Sequence, residues 1–442
     1  MIDLIEQFQT HFEERNFKQL TAIQEAVQKP LEEDKTVFGI APTGSGKTLA
    51  FTWPLLPKVM KGQGTQILVL EPSQELALQT TRVMREWAAL LGLKVHSATG
   101  GANLRRQTER LKKERPEVVV GTPGRILHLL DTRDLKLNNL ATLVIDEADD
   151  LLRDDTQAVV EDIERATPLD TQLAFFSATQ STTLEQLDVL FGRDLVKIDV
   201  RAQDHSRGPV KHGLVVARTM SDKAVMLERL SQTKNFRALV FFTSIKTLHY
   251  TASRLRHDGI SSATLGGRQR QTERETVMRQ FRKHQVKLLL TTDVAARGLD
   301  IPKLPAVVNF ELPNTADGYV HRTGRTGRQG EPGLVVNLGD DHDFRDLKKL
   351  LADTDYQLES MTIDKRQLVS GEDAKNAGKS VEKATVKAVQ KRQHDAKGNP
   401  KKEVVRTLDS FSQPAKAKHK KKNRKNKGIR LKHRRKNEEQ QK

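Results

Sequence analysis

Thr36-Val37-Phe38-Gly39-Ile40-Ala41-Pro42-Thr43-Gly44-Ser45-Gly46-Lys47-Thr48 runs from an apolar strand through a glycine-rich turn and into a helical stretch over residues 49–54. Gly44 and Gly46 let the backbone wrap a phosphate group, with amides pointing inward at a helix amino terminus. Thr43, Ser45 and the glycines form the cradle. Lys47 is placed to reach the β and γ phosphates, and Thr48 to help hold Mg²⁺. Ala41 stands where the general pattern has a first glycine. The reading therefore leans on the strand before the turn and the helix after it. An ordinary glycine-rich turn with an exposed lysine is the plain alternative.

About a hundred residues later the apolar run 140–145 ends in Asp146-Glu147-Ala148-Asp149. Asp146 at a strand end is the expected Mg²⁺ partner of a phosphate loop, and Glu147 is placed to polarise an attacking water. By themselves these acids could simply favour a helix dipole. Working outward, short apolar runs recur at 66–70, 117–120 and 172–176, then at 238–242, 286–290, 306–310 and 333–338. Helical spacing over 74–91 and 272–282 separates some of them. Alternation of this kind predicts an α/β fold with parallel sheets, helices on both faces and ligands at the carboxyl ends of the strands. The polar stretch 200–209 interrupts the pattern and reads as a hinge between two domains.

Charge sets the carboxyl end apart. The chain of 442 residues has a formal net charge of +18, and residues 370–442 hold 24 Lys/Arg against 8 Asp/Glu. A nearly neutral body thus carries a cationic extension, expected to be disordered until it meets a polyanion. No helical apolar stripe accompanies the basic run 416–436, which disfavours a membrane-lying helix. The chain has no cysteine, which excludes disulfides, thiolate metal sites and cysteine nucleophiles. Its amino terminus lacks a signal-peptide pattern, and no run approaches the roughly 20 apolar residues of a membrane span. A cytoplasmic location is expected.

His321-Arg322-Thr323-Gly324-Arg325-Thr326-Gly327-Arg328 sets three arginines at three-residue intervals, suited to phosphoryl oxygens or to a nucleic-acid backbone. With it the chain resembles the DEAD-box RNA helicases over roughly residues 16–365. The motifs follow the family's order. They are Gln24 in Phe17-Lys18-Gln19-Leu20-Thr21-Ala22-Ile23-Gln24, the phosphate loop, Pro72-Ser73-Gln74-Glu75-Leu76-Ala77, Thr99-Gly100-Gly101 and Thr122-Pro123-Gly124-Arg125. After Asp146-Glu147-Ala148-Asp149 come Ser177-Ala178-Thr179, Val240-Phe241-Phe242-Thr243-Ser244, residues 271–274, Thr292 to Asp300, and the arginine motif.

The resemblance implies two tandem RecA-like parallel-sheet domains (residues 1–199 and 212–365), a linker over 200–211, and a disordered basic RNA-binding tail over 366–442. It implies an RNA-stimulated ATPase, using ATP and Mg²⁺, that locally opens short duplexes without sequence preference. Gln24 and Phe17 would hold adenine, and Asp300 the ribose. Lys47, Asp146, Glu147, His321, Arg325 and Arg328 would carry catalysis. Ser177 and Thr179 would couple it to RNA held by Pro72, Thr99, Gly100, Gly101, Thr122, Pro123, Gly124, Arg125, Thr243, Gly267 and Thr292. Thr21 and Gln24 also have capping-box spacing, so Gln24 has a purely structural alternative. Ribosomal precursors or messenger RNA are the expected targets of a monomeric core. An RNA-binding chaperone with weak ATPase, or a DNA helicase, is the rival reading. Three departures stand out: Leu20 replaces a usual proline, Gln74 a usual arginine, and Gly266 a common histidine. The family's adenine-stacking aromatic lies upstream of Phe17, where this chain begins too late to supply it. Relaxed nucleotide selectivity is the resulting expectation.

Overall fold

The computed structural model describes residues 4–370, apart from 102, 205–207, 267, 268, 270, 297, 298, 300, 302, 329 and 365. In the first domain the strands are β1 (Thr36–Ile40), β2 (Ile67–Leu70), β3 (Val95–Ala98), β4 (Val118–Gly121), β5 (Thr142–Ile145), β6 (Gln172–Ser177) and β7 (Leu195–Asp199). They form one sheet in the order β3-β4-β2-β5-β6-β1-β7, with every pairing parallel. The second domain has β8 (Val210–Val216), β9 (Ala238–Phe242), β10 (Ser262–Leu265), β11 (Leu288–Thr292), β12 (Ala306–Asn309), β13 (Gly333–Gly339), β14 (Leu358–Asp364) and β15 (Gln367–Ser370). Their order is β10-β11-β9-β12-β13-β8-β14-β15. Only the last pair is antiparallel.

The inner strands read as unbroken apolar runs because both faces are covered. Val37, Val69, Val120, Val144 and Phe176 pack into one core, while their chain neighbours Phe38, Leu68, Val119, Leu143 and Phe175 pack into the core on the other face. The second sheet repeats the alternation, with Leu239, Phe241, Leu289 and Val307 on one side and Ala238, Val240, Leu290 and Val308 on the other. Each of the larger side chains, Val, Leu and Phe, contributes about 1.5–3 kcal/mol by leaving water. That burial fixes the register, and the register fixes which loops emerge together at the carboxyl ends. Among the described residues no helix is long and apolar enough to cross a membrane.

Several strands carry little apolar signal. β3 (Val-His-Ser-Ala) and β10 (Ser-Ala-Thr-Leu) are outermost in their sheets, where one side is only partly covered and polar residues are tolerated. Two expected boundaries also move. β8 begins at Val210, inside the segment 200–211 read as linker. The preceding backbone is already tied to the second domain, since Gly208 N–H donates to Gly327 O and Gly333 N–H to Pro209 O, both at 2.9 Å. β15 lies inside the segment 366–442 read as tail. It pairs with β14 and packs Leu368 against the second-domain core, so apolar burial carries the fold to residue 370. The rest of the expected tail, and residues 205–207 of the expected hinge, lie outside the described residues.

Candidate functional site

The phosphate loop follows β1, and Gly46 caps the helix Lys47–Leu55 in a left-handed conformation, φ +89°. The left-handed backbone there requires glycine, and a Cβ would push the Gln24 amide out of place. Gln24 is buried on the helix Ala22–Glu32. Its Oε1 accepts from Thr21 N–H at 2.9 Å, and its Nε2 donates to Gly46 O at 3.3 Å. The capping geometry thus coexists with a direct link to the phosphate loop. Phe17 is 42% exposed, with its ring centroid 6.4 Å from that of Trp53 on the loop's own helix. Lys47 is buried. Its Nζ donates to Ala41 O at 3.3 Å and lies 3.7 Å from a Glu147 carboxylate oxygen.

Asp146 and Glu147 leave the end of β5. Glu147 N–H donates to Asp146 Oδ1 at 2.9 Å. Glu147 itself sits at φ +49°, a left-handed backbone unusual for a residue with a side chain. Burial, then the neighbouring Glu147 charge, pushes the Asp146 carboxyl up to about 7. β2 runs beside β5 with Leu70 opposite Ile145, which brings Glu71 next to Asp146. Glu71 is fully buried and accepts from Thr80 Oγ1 at 2.5 Å. Its pKa is raised well above the usual carboxylate range by burial and then by Asp146. No sequence motif marks it. Its signal was an acid directly following the apolar run of β2.

The third strand end is β6. Thr179 N–H donates to Ser177 Oγ at 3.1 Å, and Ser177 Oγ donates to Thr179 O at 2.7 Å. Thr179 Oγ1 in turn donates to Asp149 Oδ2 at 2.5 Å. The same carboxylate oxygen meets His321 Nε2 of the second domain at 2.8 Å. Burial opposes charge on both partners. For Asp149, the His321 hydrogen bond and charge outweigh it and hold the carboxyl well below its usual range. For His321, the Asp149 bond and charge likewise win and raise its pKa.

Further contacts join the two domains. Thr43 Oγ1 donates to Gly324 O at 3.3 Å. Arg328, whose Nε donates to Gly324 O at 2.8 Å, passes alongside Gly44. Within the second domain, Arg325 donates to Leu299 O at 3.1 Å. Arg274 donates to Glu75 at 2.7 Å, and Arg153 to Asp317 at 2.7 Å. Arg322, the first arginine of the motif, faces inward. It is 1% exposed, forks onto both oxygens of Asp293 at 2.6 and 2.7 Å, and donates to Asn309 and to Glu311 O.

The residues expected to contact RNA in the first domain all emerge at carboxyl strand ends: Pro72 after β2, Thr99 to Gly101 after β3, Thr122 to Arg125 after β4. The Gln74 side chain packs on Gly100 and Gly101, and Arg125 donates to Gln107 at 2.8 Å. In the second domain Thr243 follows β9 and Thr292 ends β11. Glu311, a residue no motif singled out, accepts from the Thr243 amide and hydroxyl and from the Ser244 amide. Gly267 and Asp300 lie outside the described residues.

As to metal, Glu147, Asp149 and His321 offer ligand atoms within 4.8 Å of one another, but Asp149 is engaged by His321 and Thr179. Thr48 and Asp146 supply the hard oxygen donors that suit Mg²⁺. The buried Glu147 Oε2 and Ser45 Oγ beside them have no partner among the described residues. The donor set fits a Mg²⁺–phosphate group.

Comparison with known proteins agrees with this geometry. Residues 21–187 match the family model described as DEAD/DEAH box helicase, and residues 222–330 match the helicase conserved C-terminal domain. The chain is 35% identical over 343 residues to the probable ATP-dependent RNA helicase YfmL of Bacillus subtilis, covering 77% of this chain and 90% of that protein. It is 37% identical over 333 residues to the DEAD-box ATP-dependent RNA helicase CshC of Bacillus cereus, covering 75% and 84%. Among solved structures it resembles S. cerevisiae Dbp5 bound to RNA and ADP BeF3, with a TM-score of 0.73, 27% identity, and coverage of 81% of this chain and 94% of that one.

Proposed function

Since the chain belongs to the DEAD-box ATP-dependent RNA helicases, we propose that it hydrolyses ATP in the cleft between its two domains and uses closure of that cleft to open short RNA duplexes. The observation that carries this is the clasp of Thr179, Asp149 and His321, which makes the strand ends of one domain depend on the position of the other.

In this reading Gln24 and Phe17 hold the adenine and Asp300 the ribose, while residues 43–48 cradle the phosphates. Lys47 leaves Ala41 O and Glu147 for the β and γ phosphates. Thr48 and Asp146 hold Mg²⁺, which neutralises phosphate charge when bound. Glu147, released from Lys47, accepts the proton of the attacking water. Arg325 and Arg328 arrive from the second domain to stabilise charge spreading over the γ phosphate. His321 completes the clasp only on closure, so hydrolysis waits for both domains.

RNA lies across Pro72, Thr99–Gly101, Thr122–Arg125, Thr243, Gly267 and Thr292. Contacts to phosphates and 2′-hydroxyls there discriminate against DNA without reading sequence. Closing on one bent strand excludes its partner. The basic tail keeps structured RNA, such as ribosomal precursors or messenger RNA, near a monomeric core in the cytoplasm.

The test is ATP hydrolysis without nucleic acid, with structured RNA and with DNA of the same sequence, beside Glu147→Gln. The expected result is stimulation by RNA alone, with turnover in the variant down by about a hundredfold or more and RNA binding retained. Equal stimulation by DNA favours the DNA-helicase reading. RNA binding without stimulated turnover favours a chaperone.

A further inference from the structure

The amino ends of the first sheet, away from the nucleotide, carry a second concentration of positive charge. Residues 62–65 before β2, 115–116 before β4 and 133–139 before β5 enclose a cavity of about 710 Å³. Its rim is a built structure. The buried Glu117 accepts from Gly62 N–H and Lys94 N–H, each at 2.8 Å, Thr65 Oγ1 donates to Pro116 O at 3.1 Å, and Asn139 donates to Gln63 O at 2.7 Å. Asp134, the lining carboxylate, is neutralised by Lys112 at 2.7 Å. Arg115, Arg133 and Lys136 line the cavity, are exposed, and hold no ion pair among the described residues. Arg115 and Arg133 both sit at left-handed φ, +41° and +56°. Three cations without an ion-pair partner around one concavity raise the local positive potential and favour a multivalent anion there.

The helix Leu104–Glu114 joins this cavity to the loop of Gly100 and Gly101. Its 11 residues cover roughly 16 Å at 1.5 Å each. Arg106, Arg110 and Lys113, all exposed, stand four and three residues apart and so share one face. With Glu109 paired to Arg105 and Glu114 beside His96, the helix keeps a net positive face that leads from the carboxyl-end loops down the flank of the domain to the cavity.

We propose that this helix face and cavity form a second RNA site, which grips backbone phosphates of the structured RNA that extends beyond the interdomain cleft. The proposal rests on the reading that RNA enters at Gly100 and Gly101. Its effect is to hold the flank of a substrate while the cleft works on a few nucleotides. This makes long structured RNAs better substrates than short strands even with identical sequence in the cleft.

The test is the full chain carrying Arg115→Gln, Arg133→Gln and Lys136→Gln together. One readout is the RNA concentration for half-maximal ATPase, with a hexaribonucleotide and with a flanked 30-nucleotide hairpin. The other is fluorescence-anisotropy binding of the hairpin across a salt series. With the hexamer, which is too short to span both places, the variant should match the parent and so report an intact fold. With the hairpin, half-maximal concentration and dissociation constant should rise by about tenfold, and the log–log salt slope should flatten by up to about three. Unchanged hairpin binding overturns the proposal and points to an acidic protein as the cavity's partner. Equal weakening with both RNAs also overturns it. If the hexamer fails to stimulate the parent chain, the reading of the cleft falls, while the anisotropy comparison still decides the cavity.

Discussion

At Gly324 the backbone of the second domain meets the phosphate loop of the first, where Thr43 Oγ1 donates to Gly324 O at 3.3 Å. A Cβ added there would run into the Thr43 hydroxyl and crowd Val320 O. Gly324→Ala should leave ATP binding to the first domain intact while blocking the last approach of Arg325 and Arg328. Displacements near an ångström at a reacting centre cost about a hundredfold. Steady-state kinetics should therefore show kcat down by about that factor with KM for ATP nearly unchanged, and parental kcat would sink the idea. His321 offers a second test at this scale. Its pKa is raised above the ordinary 6.5 in the closed arrangement and returns toward that value when Asp149 moves away. The pair therefore favours closure fully below 6.5 and loses that contribution as pH climbs through the raised value, while Asp149 stays ionised on the acid side. RNA affinity in the presence of ATP should weaken on the alkaline side, and His321→Gln should remove that limb. An identical alkaline profile in parent and variant would show that the clasp does not titrate.

At the scale of elements, the helix Ala316–Thr323 carries His321 on its cleft side and Arg322 on its buried side. Arg322 ties the helix to Asp293 and Asn309 and to the backbone at Glu311, and it lies over the Phe241 ring. Asn309 extends the chain of bonds to Asn337 at 2.8 Å, and Asn337 reaches Tyr319 on the same helix at 3.3 Å. The network fixes the helix against β9, β12 and β13, which holds the arginines that follow it at a constant height above the sheet. Arg322→Ala leaves the buried Asn309 and the part-buried Asp293 and Glu311 O without a donor and should destabilise the second domain by about 2 kcal/mol. Urea unfolding would read this as a lower midpoint. Lysine should rescue little, because one ammonium cannot replace a fork that bonds in three directions.

On the scale of the whole molecule, a nearly neutral pair of domains is coupled to a strongly basic terminal segment. Truncation after residue 370, which keeps β15 on the second sheet, should leave ATPase without RNA unchanged. It should raise the RNA concentration for half-maximal stimulation by about tenfold and flatten its salt dependence. RNA dependence unaltered at physiological salt would mean that the segment does not contribute grip. The ion pairs Glu75–Arg274 and Arg153–Asp317 span the domains in the part-exposed range. Each is worth at most about 1 kcal/mol where water reaches it, so closure rests on the buried clasp and the phosphate loop more than on these rim contacts.

Sequence alone determined the paired parallel α/β domains, because strands buried on both faces must be short unbroken apolar runs, and those runs end in the chemistry-bearing turns. It likewise located the glycine turn after β1, the Asp146–Glu147 pair after β5 and the arginine cluster, because each stands out locally by residue type and spacing. The edge strands β3 and β10 escaped notice because partial exposure lets polar residues stand there. β8 and β15 were hidden by polar flanks, and only pairing with β13 and β14 reveals them. The family resemblance assigned Arg325 and Arg328 and passed over Arg322, and only the tertiary structure supplies the reason. Three arginines at equal spacing look alike along the chain, but a helical turn points the first into the core. The same holds for Glu71 and Glu311, which no motif singled out. Their roles come from what the neighbouring strand places beside them, and a burial-induced pKa or a hydrogen bond between strand ends has no local signature in sequence.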